Sequence, residues 1–563
     1  MRRAQLPSAF KPVKRFMPSA FIFYTLLFFV LLALPAVMIV FALLFFEHER
    51  RLWKHVAPML GPFGQRLARS PAVARLGTRF PRAAGFLSHR FNSGDPWGLP
   101  ATLAGIAIGA GLWVFLGIVQ DLVAKDPLVI LDIRLHNAAA LFRTPAMTRL
   151  MLVITELGGP VVVPLLCTGA ALLALARNRS RLAATFMLAL AGSSLISVSF
   201  KALFGNARPI DSIVKAHEAS FPSGHMLSGA VVYGLLAALL LSSGAGRSAR
   251  AIGVTILTLL IVGIGLSRLY LGVHWPSDLL GSLGLALIAL AALLFFLHYA
   301  RPIRWIDTIE LPVGSYALLT AGKAALVMAL IAALWLSNHQ KIIVIAPLQA
   351  VQPLGIDMLR TALPKDLPRW SEDLIGGHME PVSLVLIGSE NDLLKAFTGA
   401  GWTKADLPTP LRVFQEGLAA LGDVSDPTGP ATPAFMMDRP QSFTFEKPDT
   451  GAPSIRRRHH IRIWQTQHCL MSAMPGCRPI WLATASFDVG MELSMRLYLP
   501  THRIDPLLDK ERAFVVAQLE EAGARQEGSV TISAPMQGMN AAGDPFWTDG
   551  QAVILLMSQS HAQ

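Results

Sequence analysis

Three short polar stretches interrupt a chain otherwise rich in apolar runs: KALFGNARP at 201–209, FPSGH at 221–225 and SRLYLGVHWPSD at 267–278. Together they supply three cations (Lys201, Arg208, Arg268), two imidazoles (His225, His274) and one carboxylate (Asp278). Three fixed cations at one point repel one another and call for a polyanion. Phosphate fits, because guanidinium forks match its oxygens and lysine adds a point charge. In FPSGH the backbone N–H groups of Ser223 and Gly224 would open a helix, a position that favours an anion, and the Ser223 hydroxyl can add a bond. His274 and Asp278 are four apart and share a face if helical, with Pro276 at a first helical turn. The carboxylate could then hold one ring nitrogen while the other is aimed at phosphorus, and His225 could protonate the leaving oxygen.

Taken singly, each motif is weak. A His and an Asp four apart are usually a helix-surface pair, PSGH is an ordinary helix start, and Lys-x6-Arg-Pro is usually a basic loop end. Their joint occurrence in this order carries the reading. So does their setting, since a charge at membrane depth costs roughly 3 kcal/mol and marks function by default.

The elements that must position these residues are membrane helices. Of 563 residues 53% are hydrophobic and 15% charged, too apolar for a soluble protein and too long for one domain. Apolar runs fall at about 101–119, 157–176, 182–204, 224–243, 251–266, 279–297 and 315–337. Six form a core from 101 to 297, and the last run, interrupted by Lys323, flanks it. A further run, Phe21–Phe46 with Pro35 as a kink, is longer than a signal-peptide core and reads as an uncleaved anchor. Counting crossings, the three polar clusters share one face.

The net charge of +13 gathers in short basic turns: Arg177, Arg179 and Arg181; Arg247 and Arg250; Arg301 and Arg304. This is the pattern of cytoplasmic loops and needs no nucleic acid as partner. The polar face is then extracytoplasmic. The segment 47–98, with nine Lys or Arg, also falls inside, which forces the N-terminal tail outside despite its five basic residues. Either the tail is outvoted or the first run does not simply cross.

After about residue 338, prolines, charges and short alternating stretches replace the long runs. PVSLVLIG, HIRIWQT, PIWLATASF and QAVILLMS read as strands, and NDLLKAFTGAG and PLLDKERAFVVAQLEEAG as helices. The expected fold is an all-α polytopic membrane bundle followed by an α+β soluble domain. Its divisions are an anchor and basic linker at 1–98, the six-helix core at 99–300, a linker and added membrane helix at 301–340, and the soluble domain at 341–563. Cys469 and Cys477 flank a hairpin-sized stretch and either form a disulfide, fitting an oxidising compartment, or stay as two buried thiols. His459, His460, His502 and Asp505 could collect a metal, but strand and loop histidines making ordinary hydrogen bonds are the commoner outcome.

The triple pattern Lys-x6-Arg-Pro, Pro-Ser-Gly-His and Ser-Arg-x5-His-x3-Asp resembles that of the type 2 phosphatidic acid phosphatase family. It is matched at Lys201, Arg208, Pro209, Pro222, Ser223, Gly224, His225, Ser267, Arg268, His274 and Asp278. The resemblance covers about 100–300. It implies a six-helix core, a phosphohistidine on His274, acid catalysis by His225, phosphate binding by Lys201, Arg208, Ser223, Gly224 and Arg268, and no metal or other cofactor. Vanadium haloperoxidases share the pattern but are soluble. The substrate implied is a lipid phosphomonoester or pyrophosphate in the bilayer, with undecaprenyl pyrophosphate, phosphatidate, phosphatidylglycerol phosphate and lipid A phosphates equally open. A phosphotransferase with the same intermediate and a non-catalytic headgroup binder are the alternatives. PVSLVLIGSENDLLKAFTGAGWTKAD, RRRHHIRIW and THRIDPLLDKERAFVVAQLEEAG resemble the LssY C-terminal domain, over about 340–560. Protein partners are not legible.

Overall fold

The computed structural model describes residues 78–558, except 91–94, 96, 125–126, 217–218, 300–315, 344–351, most of 408–427, 450–456, 472–476 and 494–499. The expected anchor at Phe21–Phe46 lies outside the described residues.

After a short helix α1 (Pro81–Arg90) come α2 (Leu99–Ala124), α3 (Pro127–Ala140), α4 (Pro145–Leu157), α5 (Val162–Leu175), α6 (Ser180–Phe204), α7 (Gly224–Leu241), α8 (Arg247–Tyr270), α9 (Pro276–Tyr299) and α10 (Tyr316–His339). Six of them, α2 and α6 to α10, are long and apolar enough to cross a bilayer. The expected run at 157–176 is instead the second part of a bent pair: α4 and α5 are together long and apolar enough to cross, but they meet at a bend of 44°. Helix α3 was not anticipated, because its sequence mixes charges among its apolar residues.

The bend follows from what must pass close by. A Cβ on Gly158 would come within 2.9 Å of both the His225 carbonyl oxygen and Ile264, so only glycine lets α4 end against α7 and α8. Carbonyls at the break must be satisfied away from water. The Tyr233 hydroxyl donates to Leu157 O at 2.7 Å, and Ser228 Oγ donates to Gly158 O at 3.3 Å.

Helix α7 is apolar all round, and Leu227, Ala230, Val231, Leu235 and Ala238 have no exposed surface. Such a helix belongs at the centre of a bundle. The outer helices leave apolar faces unpartnered, with Trp113 and Leu116 on α2, Leu195 and Val198 on α6, Ile256 and Leu259 on α8, and Leu330 and Leu334 on α10 exposed. A lipid environment demands this arrangement. Small residues permit the closest crossings. A Cβ on Gly111 would lie 2.6 Å from Gly284 O where α2 meets α9, and one on Gly169 would lie 3.0 Å from Gly322 O where α5 meets α10. Lys323, beside that second crossing, is exposed.

The C-terminal region is α+β. Its strands are β1 (Gln352–Leu354), β2 (Trp370–Glu372), β3 (His378–Pro381), β4 (Leu384–Ile387), β5 (Thr403–Lys404), β6 (Phe435–Met436), β7 (Arg439–Pro440), β8 (Phe443–Pro448), β9 (Arg458–Met471), β10 (Cys477–Leu493), β11 (Pro500–Ile504), β12 (Arg525–Thr531), β13 (Met536–Met539), β14 (Pro545–Thr548) and β15 (Gln551–Leu556). A mixed sheet runs β12-β15-β4-β10-β9-β8-β5, with β1 beside β9 and β11 beside β10. One face buries Phe445, Ile461, Ile463 and Trp481 with residues of α12 (Glu390–Gly399) and α13 (Leu508–Glu521). Helix α11 (Ile356–Thr361) contributes Leu359 to the other face, and a second sheet runs β3-β2-β6-β7. The four strands and two helices read in the sequence all occur, with HIRIWQT and PIWLATASF each a fragment of a longer strand. The short strands β2, β5, β6 and β7 carry too few residues to show a period.

Cys469 and Cys477 are joined in a disulfide at the end of the β9–β10 hairpin, Cα to Cα 5.5 Å. His459 pairs with Glu511 at 2.9 Å, and His460 with Asp488 at 2.9 Å and with the Ser486 hydroxyl at 2.8 Å. His502 accepts from Arg458 at 2.9 Å. Among the described residues no group of three or more His, Cys, Asp or Glu is arranged to hold a metal ion.

Candidate active site

The three polar stretches become three helix ends. Helix α6 stops at Gly205, whose φ of +60° reverses the chain and leaves Lys201 in the last turn. The following loop carries Arg208. Helix α7 starts at Ser223, whose hydroxyl accepts the Met226 N–H and places His225 in the first turn. Arg268 lies in the last turn of α8, and the chain turns at Gly272, φ +76°, before Pro276 opens α9 with Asp278 in its first turn.

His274 lies in that turn, buried at 1% exposure. Its Nδ1 is 3.1 Å from Asp278 Oδ2, and its Nε2 is 3.2 Å from Arg208 Nη1. A guanidinium can only donate, so Nε2 must accept and the ring proton sits on Nδ1, facing the carboxylate. The same carboxylate oxygen accepts the Trp275 N–H at 2.9 Å, and Ser220 Oγ donates to its other oxygen at 3.4 Å. Burial first, then the charges of Arg268, Arg208, His225 and Lys201, hold His274 well below the usual imidazole range, so the ring is neutral at neutral pH.

Arg208 also donates to Val273 O at 2.6 Å and to Ala219 O at 3.3 Å, which fixes its fork across the turn. Arg268, 7% exposed, donates to Thr155 Oγ1 at 2.9 Å. Lys201, Gly224 and His225 line a cavity of about 280 Å³ between α6, α7 and the Gly158–Pro160 break, together with Ser193 and Ser197. Gly224 is needed for that close approach, because a Cβ there would stand 3.0 Å from Ser197 Oγ.

Ser223 departs from the expectation that its N–H faces the anion. It is fully buried, and its N–H donates to Ser282 Oγ at 2.8 Å. Its hydroxyl serves the helix start, so in this structure Ser223 secures α7 against α9. Sequence reasoning passed over Thr155, which holds Arg268, and Ser220 and Ser282, which brace Asp278 and Ser223. Hydroxyls are common in such segments, and nothing in spacing singles these out.

An apolar helical bundle thus presents a carboxylate-held imidazole to a guanidinium, with a second imidazole and two more cations on the same face, in a polytopic membrane protein. The family model of the PAP2 superfamily matches residues 182–305, and that of the LssY C-terminus matches 364–552. Phosphatidylglycerophosphatase B of Bacillus subtilis (strain 168) is 31% identical over 191 residues, which is 33% of this chain and 90% of that protein. A crystal structure described as the first transmembrane PAP2 type phosphatidylglycerolphosphate phosphatase from Bacillus subtilis is 27% identical and covers 33% of this chain and 94% of that one, with a TM-score of 0.30. The chain belongs to the PAP2 superfamily, with an LssY-type domain behind its membrane core.

Proposed function

We propose that the protein is an integral membrane phosphatase that hydrolyses a lipid phosphomonoester or pyrophosphate through a phosphohistidine. The observation that carries this reading is the pair of contacts on His274: Asp278 fixes its proton on Nδ1, and Arg208 stands at the free nitrogen. A phosphoryl group bound by Arg208, Arg268 and Lys201 would meet that lone pair in line. Nε2 forms the N–P bond as the ester O–P bond breaks, and His225 gives its proton to the departing oxygen. Water then attacks phosphorus, its proton passes to His225, and the N–P bond breaks to release inorganic phosphate. The cations neutralise the charge that builds on the equatorial oxygens.

The similarity to a phosphatidylglycerophosphatase favours a glycerophospholipid phosphate as substrate. The active face and the C-terminal domain lie outside the cytoplasm in this reading, supported by the arginine turns at the opposite ends of the helices and by the Cys469–Cys477 disulfide.

The test is release of inorganic phosphate by the full-length protein in detergent from phosphatidylglycerol phosphate, phosphatidate and a prenyl pyrophosphate, with EDTA present. Turnover that survives the chelator and disappears in His274→Ala supports the reading. Turnover that survives in His274→Ala removes the phosphohistidine.

A further inference from the structure

Helix α3 has 14 residues and takes no part in the chemistry above. Its polar side chains point two ways. Asp132 and His136, one turn apart, share a face. Asp132 is 3% exposed and accepts the Ser277 N–H at 2.8 Å and the Ser277 hydroxyl at 2.6 Å. The first N–H groups of a helix have no partner within it. Asp132 therefore caps α9 from outside, one residue from Asp278. His136 bonds Asp211, in the loop that carries Arg208, and Arg143 also reaches that loop through Asp211 O at 3.3 Å.

Arg134 and Asn137 lie on the other face and enter the C-terminal domain. Arg134, 4% exposed, donates to the Glu372 carboxylate, to Asp373 O and to Asp438 Oδ1, the last at 3.0 Å, and its guanidinium is 5.5 Å from the Phe435 ring centre. Asn137 donates to Asp438 O at 2.7 Å. Asp438 is held in a tight turn between β6 and β7 with φ +56°. One short helix thus binds the soluble domain with one face and the supports of Asp278 and Arg208 with the other.

We propose that α3 is a strut through which the C-terminal domain sets the geometry of the phosphate site, with Arg134 and Asp132 as positioning residues. The inference rests on the phosphatase reading for its catalytic consequence. If the domain were merely tethered, its contacts with α3 would leave the site alone; a strut passes any tilt of α3 through Ser277 to the carboxylate that orients His274.

The experiment uses the full-length protein in detergent, with kcat and KM for a lipid phosphate and, separately, affinity for inorganic phosphate by calorimetry. Arg134→Ala and the Glu372→Ala/Asp438→Ala pair should each lower kcat by about ten- to a hundredfold, the scale of a small misplacement of reacting groups, and should also weaken the affinity for inorganic phosphate. Combining them should add little further loss, because they break one linkage. Arg360→Ala, which removes an exposed pair with Glu527, should leave both readouts at wild-type values. Should Arg134→Ala fail to fold, the Glu372/Asp438 pair, which leaves the bundle intact, decides. Wild-type kcat and phosphate affinity in the folded pair variant would overturn the strut. A wild-type protein that binds phosphate without hydrolysing any lipid phosphate would sink the phosphatase reading alone, since the strut is then still read from weakened phosphate affinity in the variants.

Discussion

Arg208 Nη1 stands 3.2 Å from Nε2 of His274, the nitrogen that the proposed mechanism needs free of a proton. The guanidinium excludes the other tautomer and, under that proposal, marks where the phosphoryl oxygens go. Arg208→Lys keeps a charge but loses the fork whose Nη1 meets Val273 O and the ring and whose Nη2 meets Ala219 O. It should cut kcat/KM by about a hundredfold, at least one charge-assisted bond of 1.5–3 kcal/mol. Steady-state phosphate release measures this, and a loss under threefold would count against the placement.

Asp278→Asn preserves the shape but turns an acceptor-only group into one that can also donate to Nδ1, moving the proton to Nε2. The expected outcome is a fall in kcat on the order of 10⁴, by analogy with triads in which the same change inverts the tautomer. Single-turnover kinetics with a phosphorus-labelled lipid should show the block before formation of the phosphoenzyme.

In the C-terminal domain, burial alone would raise Asp488, but His460, His502 and Arg458 outweigh it and hold the carboxyl well below its usual range. Glu380 is lowered likewise, against its burial, by Arg462 and His460. Both groups have folded values below unfolded ones, so their contribution is complete above about pH 5 and is lost as pH falls through about 4 and below. Tryptophan fluorescence melts of the full chain, in which Trp464 and Trp481 are two of eleven reporters, should show a transition whose midpoint drops between pH 5 and 3. Asp488→Asn should cost about 3 kcal/mol at pH 7, because it takes from the buried Arg458 guanidinium one of its two carboxylate partners, Glu446 remaining.

At the α2–α9 crossing, Gly111→Ala would bring a methyl to 2.6 Å from Gly284 O and 2.7 Å from Ile288, so the helices must separate. The expected cost is about 1–3 kcal/mol. Gly192→Ala on α6 meets nothing within 4 Å and should stabilise by up to about 1 kcal/mol through helix propensity. Thermal unfolding of the two variants in one detergent compares them directly.

Labelling intact cells with a membrane-impermeant maleimide tests the orientation. A cysteine placed at Asp357, 92% exposed in its side chain, should react from outside, and one placed at Ser243, in the turn before α8, should not. The reverse pattern would put the active face in the cytoplasm.

The gathering of Lys201, Arg208, His225, Arg268, His274 and Asp278 at helix ends on one face was legible because ionisable groups are costly in lipid and so stand out among apolar runs. The helices were legible because a span needs a long apolar run, whatever its neighbours. Helix α3 was not, because VILDIRLH alternates apolar and polar residues and gives no helical stripe, and because the partners of Arg134, Glu372 and Asp438, lie hundreds of residues further on. The second role of Ser223 was hidden for a related reason: its N–H meets Ser282, an ordinary residue in an apolar run.

Ser282 Oγ lies 2.6 Å from Asp278 O, 3.1 Å from Ser223 O and 2.8 Å from Ser223 N. That single oxygen rivets the first turns of α7 and α9, which carry His225 and Asp278. Under the proposed mechanism the machinery is assembled before any lipid arrives, and selectivity falls to whatever governs a headgroup's passage to it.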